Sequence, residues 1–375
     1  MIQFISNLLD GLTVGCIYAL IAVGYTMVYG IIKLINFAHG EFYMFGAYCG
    51  FFTLVLLFGG QEGGRELGFF ALICAALIAG LCTGVLALIV ERLVYRPLRK
   101  SGRIVALLAA LGVSLFMQNT AQKTVGADDR AFPNTFPSQR FPREKLNASS
   151  IRAGDTAERD IAVVYSEAHA GGRLTRVENL AQRGNIIKPS DRAHLDAILE
   201  QSAKDGSAAD IYGYSAISVS NKDGVIFTTV ALVALLLYFI VQHTRFGRAM
   251  RAVSHDFDAA ALMGIDVARV VAGTFFIGAF VAGVGGTLGG GMYHSKIFPL
   301  MGLMPGLKAF VAAVIGGIGS IPGAVAGALL LGIAEALVGS YISTMYTDAF
   351  TFGILIFMLL VRPNGLLGKP LSDKL

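Results

Sequence analysis

Apolar runs of bilayer length recur along most of this chain, and they limit the fold more than any other feature. They fall at about 8–30, 37–58, 69–91, 104–120, 225–243, 269–292, 303–317, 322–342 and 349–361. A helix crosses the hydrocarbon core with roughly 20 residues, because each residue rises about 1.5 Å and the core is about 30 Å thick. The expected fold class is therefore all-α integral membrane: a polytopic helix bundle of about eight or nine spans with interrupted helices. The run at 303–317 is short and reads as a span or a re-entrant segment. A break at 30–36 would make the first two runs one interrupted unit.

Composition agrees. Residues Asp, Glu, Lys and Arg make up only 15% of the chain, against about 25% in soluble domains. The 46 glycines suit a spanning bundle, where small residues let helix backbones approach. The first Lys or Arg is Lys33, after a complete apolar segment, so the N-terminus lacks the positive region that opens a secretory signal. Cys16, Cys49, Cys74 and Cys82 all lie in apolar runs without CxxC or metal-ligand spacing. They read as small buried hydrophobes.

Residues 121–224 break the pattern, with 14 Lys/Arg balanced by 14 Asp/Glu and no window apolar enough to span. Three regions follow: N-terminal spans over 1–120, a polar extracytoplasmic insertion over 121–224, and C-terminal spans over 225–375 with a cytoplasmic loop at 244–268. Inside the insertion, "DIAVVYS" (160–166) and "RAHLDAILEQSAK" (192–204) come nearest to a core. The second places Leu195, Ile198 and Leu199 at helical spacing. The expectation is a small, partly ordered unit with one strand and one or two helices.

Short loops rich in Lys and Arg mark the cytoplasmic side. Arg92, Arg96, Arg99, Lys100 and Arg103 form one group; Arg245, Arg248, Arg251 and Arg269 another; Arg362, Lys369 and Lys374 a third. All three share a side only if 121–224 lies on the opposite face. By the same logic the N-terminus is external.

One apolar stretch, "LINFAHGEFYMFGAY" (34–48), carries Asn36, His39 and Glu41, with Lys33 just before it. If helical, Lys33, Asn36, His39 and Tyr43 share a face and Glu41 points elsewhere. A charge at bilayer depth costs about 2.5–3.5 kcal/mol on insertion scales, so such groups face protein or water. Two readings stand. The stretch lines a path, or it is a helix break near the cytoplasmic interface where Lys33 snorkels. A second interrupted region, 285–327, is broken by glycines, Pro299, Pro305 and Pro322. Interrupted segments in both halves point to a transport pathway. Glu335, in mid-span, either lines such a path or bonds a neighbouring helix. Gln118 and Asn119 end a span and read as interfacial.

In the loop at 245–268, Val253, Phe257, Ala260 or Ala261, and Gly264 form an apolar face, and Arg248, Arg251, His255 and Asp258 a polar one. Asp258 is placed to cap a short helix over 259–263, and Gly264 to end it in the left-handed conformation. Such a helix either lies on lipid or docks into a groove of a soluble partner.

No GxxxxGK[ST] motif is present to cradle nucleotide phosphates. No Ser/His/Asp or HExxH arrangement appears either, so no catalytic residue, metal or cofactor is expected and the chain does not read as an enzyme. Energy must come from an ion gradient or a partner. A stand-alone secondary transporter would need coupling carboxylates, and Glu41, Glu335 and Asp348 are few and scattered.

Several blocks, in order, resemble the branched-chain amino-acid ABC transporter permeases, the high-affinity Leu/Ile/Val import type. They are "GLTVGCIYALIAVGYTMVYGIIKLINFAHGEFYMFGAY", "ERLVYRPLR", "FGRAMRAVSHDFDAAALMGIDVARV", "MGLMPGLKAFVAAVIGGIGSIPGAVAGALLLGIAEAL" and "RPNGLLG". The resemblance implies a multi-pass subunit of the bacterial inner membrane that imports branched-chain amino acids. Its partners would be a homologous second permease in a heterodimer, two cytoplasmic ATPases, a periplasmic solute-binding protein and the lipid bilayer, with no nucleic acid. The family's coupling segment maps onto Ala259, Ala260, Leu262, Met263 and Gly264, with Arg251, Asp256 and Asp258 beside it. That favours docking on an ATPase. The family's Asn-x-x-His-Gly-Glu block maps onto Asn36, His39, Gly40 and Glu41; with Glu335 these are the expected path residues. Urea and short-amide permeases have similar blocks and remain an alternative. Residues 138–220 depart from the family, whose members have a short external connection there.

Overall fold

The computed structural model describes residues 2–33, 36–60, 67–98, 101–133, 135, 140–146, 151, 160–169, 172–181, 187, 189–204 and 209–368. Arg99, Lys100, Lys369 and Lys374, counted in the basic loops and tail, lie outside them. The protein is an all-α polytopic membrane protein. Among the described residues eight helices are long and apolar enough to cross a bilayer, and a shorter apolar helix joins them.

In chain order these begin with α1 (Ile2–Ile32) and α2 (His39–Phe58). Next comes α3 (Gly68–Val90), which passes through a π-helical turn at Glu91–Tyr95 into α4 (Arg96–Leu98), and then α5 (Arg103–Val125). The insertion follows: β1 (Arg130–Ala131), β2 (Arg140–Leu146), β3 (Asp160–His169), β4 (Gly172–Ala181), α6 (Pro189–Lys204) and β5 (Ala209–Ser220). The second half holds α7 (Asn221–His243), α8 (Arg245–His255), α9 (Phe257–Leu262) and α10 (Val267–Leu288). Beyond a π-helical turn at Gly289–His294 come β6 (Lys296–Ile297), α11 (Leu303–Gly316), α12 (Ile321–Tyr341) and α13 (Thr347–Val361).

Two sets of contacts assign the ends of these helices to faces. Strand β1 pairs antiparallel with β6, Arg130 opposite Ile297, so the ends of α5 and α10 share one face with the insertion. On the other face, the N–H groups of Leu366 and Leu367 donate to the carbonyls of Ile315 and Gly316, at 2.8 and 2.9 Å. The chain therefore enters at β6 and leaves at the tail, and α11 crosses rather than returns. That removes the re-entrant alternative. A small cavity of about 90 Å³ brings Arg251 of α8 beside Gly30 of α1 and Gly319, which places the 245–266 loop on the tail's face.

Helix α1 runs through the centre of the bundle, while α7 and α13 lie mostly on its outside. Close approach at the centre depends on missing side chains. A Cβ on Gly46 of α2 would stand 2.6 Å from the Gly283 carbonyl oxygen of α10, and one on Gly40 would stand 3.0 Å from the Gly306 Cα of α11. Neither gap admits a methyl group, so both helices pack backbone to backbone. The four cysteines are free. Cys16 is buried as expected, but Cys82 is exposed. Its thiol hydrogen-bonds that of Cys49 on the neighbouring α2, at the outer edge of the α2–α3 contact.

The insertion differs from the expectation of one strand. Its sheet has four antiparallel strands in the order β2-β5-β3-β4. Helix α6 covers one side, and Ile161, Val163, Leu195, Ile198 and Ile211 form its small core. Strand β5 carries both neighbours: Ile211 faces Leu146 of β2 on one side and Val163 of β3 on the other. It then runs into α7 with no intervening linker. Ser220 caps α7 in a reciprocal box with Asp223, and Thr13 of α1 donates to the Asp223 carboxylate at 3.3 Å.

Candidate functional site

Three places in the bundle carry the residues that the sequence singles out. The first is the break between α1 and α2. Helix α1 stops at Ile32 and Lys33 takes a left-handed φ of 55°, so Lys33 does not share a helical face with Asn36, His39 and Tyr43. Asn36, His39 and Glu41 are 3%, 1% and 1% exposed. The Asn36 Oδ1 accepts from the Tyr95 hydroxyl at 2.5 Å and from the Ala38 N–H at 3.1 Å. The His39 ring lies 4.7 Å from that of Tyr25 and bonds the Ile21 carbonyl. Glu41 Oε1 accepts from Gln118 Nε2 at 2.6 Å and from the Ser114 hydroxyl at 3.1 Å.

These partners fix the depth. Ser114 stands midway along α5 (Arg103–Val125), so Glu41 lies near the middle of the bundle and not at the interface. Gln118 is buried with it, contrary to the interfacial reading of a polar residue near a span's end. A carboxyl group at that depth draws a matching amide from the neighbouring helix, because an unmatched one costs several kcal/mol. Gly40 is packed against Gly302 and Gly306. The cluster is buried in protein, and neither the small cavity at Arg251 nor the cleft at Lys308 is lined by it.

The second place is a cleft of about 590 Å³ on the insertion's side of the bundle, between α1, the end of α10, α11 and α12. Lys308, in α11, is held there between two carboxylates: it pairs with Glu335 of α12 and, at 2.8 Å, with Asp348 of α13. The Tyr18 hydroxyl of α1 donates to the other Glu335 oxygen at 3.0 Å. Side-chain exposure is 10% for Lys308, 15% for Glu335 and 47% for Asp348. Glu335 thus both faces a cleft and bonds neighbouring helices. Lys308 is not among the residues that the sequence singles out. Its signal was a lone cation inside the apolar run 303–317, where a charge demands a partner.

The third place is the 244–266 loop. Thr244 caps α8, and Arg251 donates to the Val241 carbonyl at the end of α7. The short helix expected over 259–263 is α9 (Phe257–Leu262), and a further helix, α8, precedes it. Asp256 leaves helical geometry at φ −156° and its carboxylate accepts from the N–H groups of Asp258 and Ala259 at 2.9 and 3.0 Å. Asp256, not Asp258, is the cap, and a residue that caps from the β region must break the preceding helix. Gly264 ends the unit at φ +81°, a conformation that glycine adopts without strain. Ala260 is buried, while Leu262 and Met263 are 87% and 83% exposed; Asp258 and Ala259 are also exposed. Asp266 then caps α10.

The family model described as "Branched-chain amino acid transport system / permease component" matches residues 7–359. The chain belongs to this permease family. It is 37% identical over 373 residues to the high-affinity branched-chain amino acid transport system permease protein LivH of Escherichia coli K12, covering 100% of this chain and 98% of that one. It is 35% identical over 372 residues to the corresponding permease protein BraD of Pseudomonas aeruginosa, covering 99% and 98%. A shorter likeness, 32% over 108 residues and 27% of this chain, links it to the fructose import permease protein FrcC of Rhizobium meliloti. No solved structure matches. Within this permease, the enclosed cluster at the start of α2, the ion-paired cleft and the capped loop helix sit at three different depths. The first lies at mid-bundle, the second towards the insertion and the third at the tail's face.

Proposed function

We propose that this permease-family chain is the membrane-spanning subunit of an ATP-binding-cassette importer that moves branched-chain amino acids across a bacterial inner membrane. It pairs with a homologous second permease, receives cargo from a periplasmic solute-binding protein on the insertion's face, and is driven by two ATPases on the tail's face. The observation that carries the reading is the α8–α9 unit. A surface helix with Leu262 and Met263 almost fully exposed is unfavourable in water, at about 25 cal/mol per Å² of apolar surface, and is suited to a hydrophobic groove on another protein. Arg251 ties the unit to α7, and Asp256, Gly264 and Asp266 fix its two turns. A push on α9 therefore reaches α7 and α10 as rigid-body motion. The end-to-end relatives named for branched-chain amino acids support the cargo assignment.

For the path, Glu335 is the member of the expected set that a cleft supports. Asn36, His39, Gly40 and Glu41 form the packed region below it, where α2 meets α5, α10 and α11. The coupling assignment is tested with the reconstituted importer. Leu262→Asp is expected to reduce ATP-driven leucine uptake to background while the solute-binding protein still binds leucine, and a cysteine at position 262 is expected to crosslink to an ATPase. Wild-type uptake by Leu262→Asp, or a cysteine there that never reaches an ATPase, overturns it.

A further inference from the structure

The cleft holds a charge arrangement that the fold does not need for its own sake. A buried ion pair is no better for stability than well-packed apolar residues of the same volume. Here one ammonium group, on Lys308, is shared by two carboxylates of unequal standing. Glu335 is 15% exposed and also takes the Tyr18 hydroxyl, so it is fixed. Asp348, at the first turn of α13, is 47% exposed and is the more exposed of the two. Most of the remaining lining is apolar, from residues such as Phe298, Met301, Met304 and Pro305, and Asp10 and His294 line the cleft as well. At about 590 Å³ the cleft lies within the range that encloses a small ligand, roughly 300–1,000 Å³.

We infer that this cleft is a cargo subsite for a zwitterion with an aliphatic tail, read by Lys308 and Glu335, with Asp348 acting as a built-in stand-in for the ligand's carboxylate. The inference rests on the importer reading and names a site for its cargo. When the ligand enters, its carboxylate takes the place of Asp348 on the Lys308 ammonium. Its own ammonium group meets Glu335, and its side chain lies among the methionines and Phe298. Two ion pairs to the ligand replace the two that Lys308 makes in the empty cleft, no net charge enters the bilayer, and Asp348 turns to water. A ligand lacking either charge leaves a buried group unmatched, which a polar site rejects far more strongly than it rejects a missing methylene. The exchange also explains why a third charge is present: in the empty cleft Lys308 keeps two partners, and occupancy is paid for by releasing the more exposed one.

The chain contains no Trp, so Tyr293→Trp, an aromatic exchange at a residue on the cleft wall that the proposal leaves out of the ligand's contacts, gives a single-tryptophan fluorescence reporter. The full-length variant in lipid vesicles, which carry no tryptophan of their own, is titrated with leucine, with 3-methylbutylamine and with 4-methylpentanoate. Leucine is expected to give a saturable change, and the amine and the acid to bind at least about tenfold more weakly. Glu335→Gln is expected to abolish the leucine response. Asp348→Asn, a mild change at a half-exposed residue, is expected to tighten leucine binding several-fold because the competitor is gone. A purely structural triad predicts the reverse sign. No saturable leucine response, an equal response to the amine, or weaker binding in Asp348→Asn overturns the inference. Leucine uptake by the whole importer is measured in parallel. Uptake with no response at the reporter sinks the subsite and leaves the importer reading standing, whereas absence of leucine uptake sinks that reading itself.

Discussion

At the start of α2, Asn36, His39 and Glu41 are each under 4% exposed; one polar atom of each bonds Tyr95, Ile21, or Ser114 and Gln118, while Asn36 Nδ2, His39 Nε2 and Glu41 Oε2 are buried without a hydrogen-bond partner. Toward the insertion, Lys308, Glu335 and Asp348 hold one another and Tyr18 beside an open cleft. Both groups interrupt apolar helices, and from the sequence alone both look alike. Their difference teaches that polarity at bilayer depth has two uses. In the first it ties helices together where a broken backbone would otherwise lack partners. In the second it presents fixed charge to something that enters.

That contrast can be broken by mutation, and the largest effect belongs to the ionic group. Lys308→Met leaves Glu335 buried without its cation and is expected to cost about 3–5 kcal/mol, read as a lower unfolding midpoint in detergent titration. The double variant Lys308→Met/Glu335→Gln is expected to regain most of that loss. Should Lys308→Met melt with the wild type, the cleft is not held by ion pairs. Next comes Glu41→Leu, which strands Gln118 and Ser114 and is expected to cost about 1–3 kcal/mol. Its uptake should fall only as far as the amount of folded protein does. Loss of transport at full folded yield would move Glu41 from the tying group to the presenting one.

Asn36→Ala removes one acceptor from the Tyr95 hydroxyl and should cost about 1 kcal/mol, measured in the same titration. The smallest effect sharpens the boundary between α1 and α2. Lys33→Gly relieves a left-handed backbone that costs a side chain roughly 1–2 kcal/mol, offset in part by the unfolded entropy of glycine. A net gain of about 0.5 kcal/mol is expected, and any loss would mean that the Lys33 side chain anchors the break.

Much of this layout was legible beforehand. Every apolar run became a helix, with ends within four residues of those expected except that α1 starts six residues earlier and α5 ends five later, because bilayer thickness sets a length that no tertiary contact has to supply. Gly264 was readable for a similar local reason: a left-handed helix end asks for glycine wherever it occurs. Other features depend on partners distant in sequence. Glu41 finds Gln118 and Ser114 across 77 and 73 positions, and nothing near either one announces the pairing. Asp256 and Asp258 are both good caps two residues apart, and the choice between them was made by where α8 stops. The four-stranded sheet was hidden for a third reason. Strand β2, "RFPREKL", carries Pro142 and four charged residues, so it becomes a strand only because β5 is there to accept it.

The direct passage from β5 to α7 has a mechanical consequence. A strand clamped between two neighbours cannot swivel alone, and the reciprocal Ser220–Asp223 cap welds it to the helix that follows. Only Thr244 then separates α7 from α8. Sheet, shaft and foot make a single crank through the thickness of the protein. A continuous route between the two faces thus runs along α7, mostly on the outside of the bundle and apart from its interior.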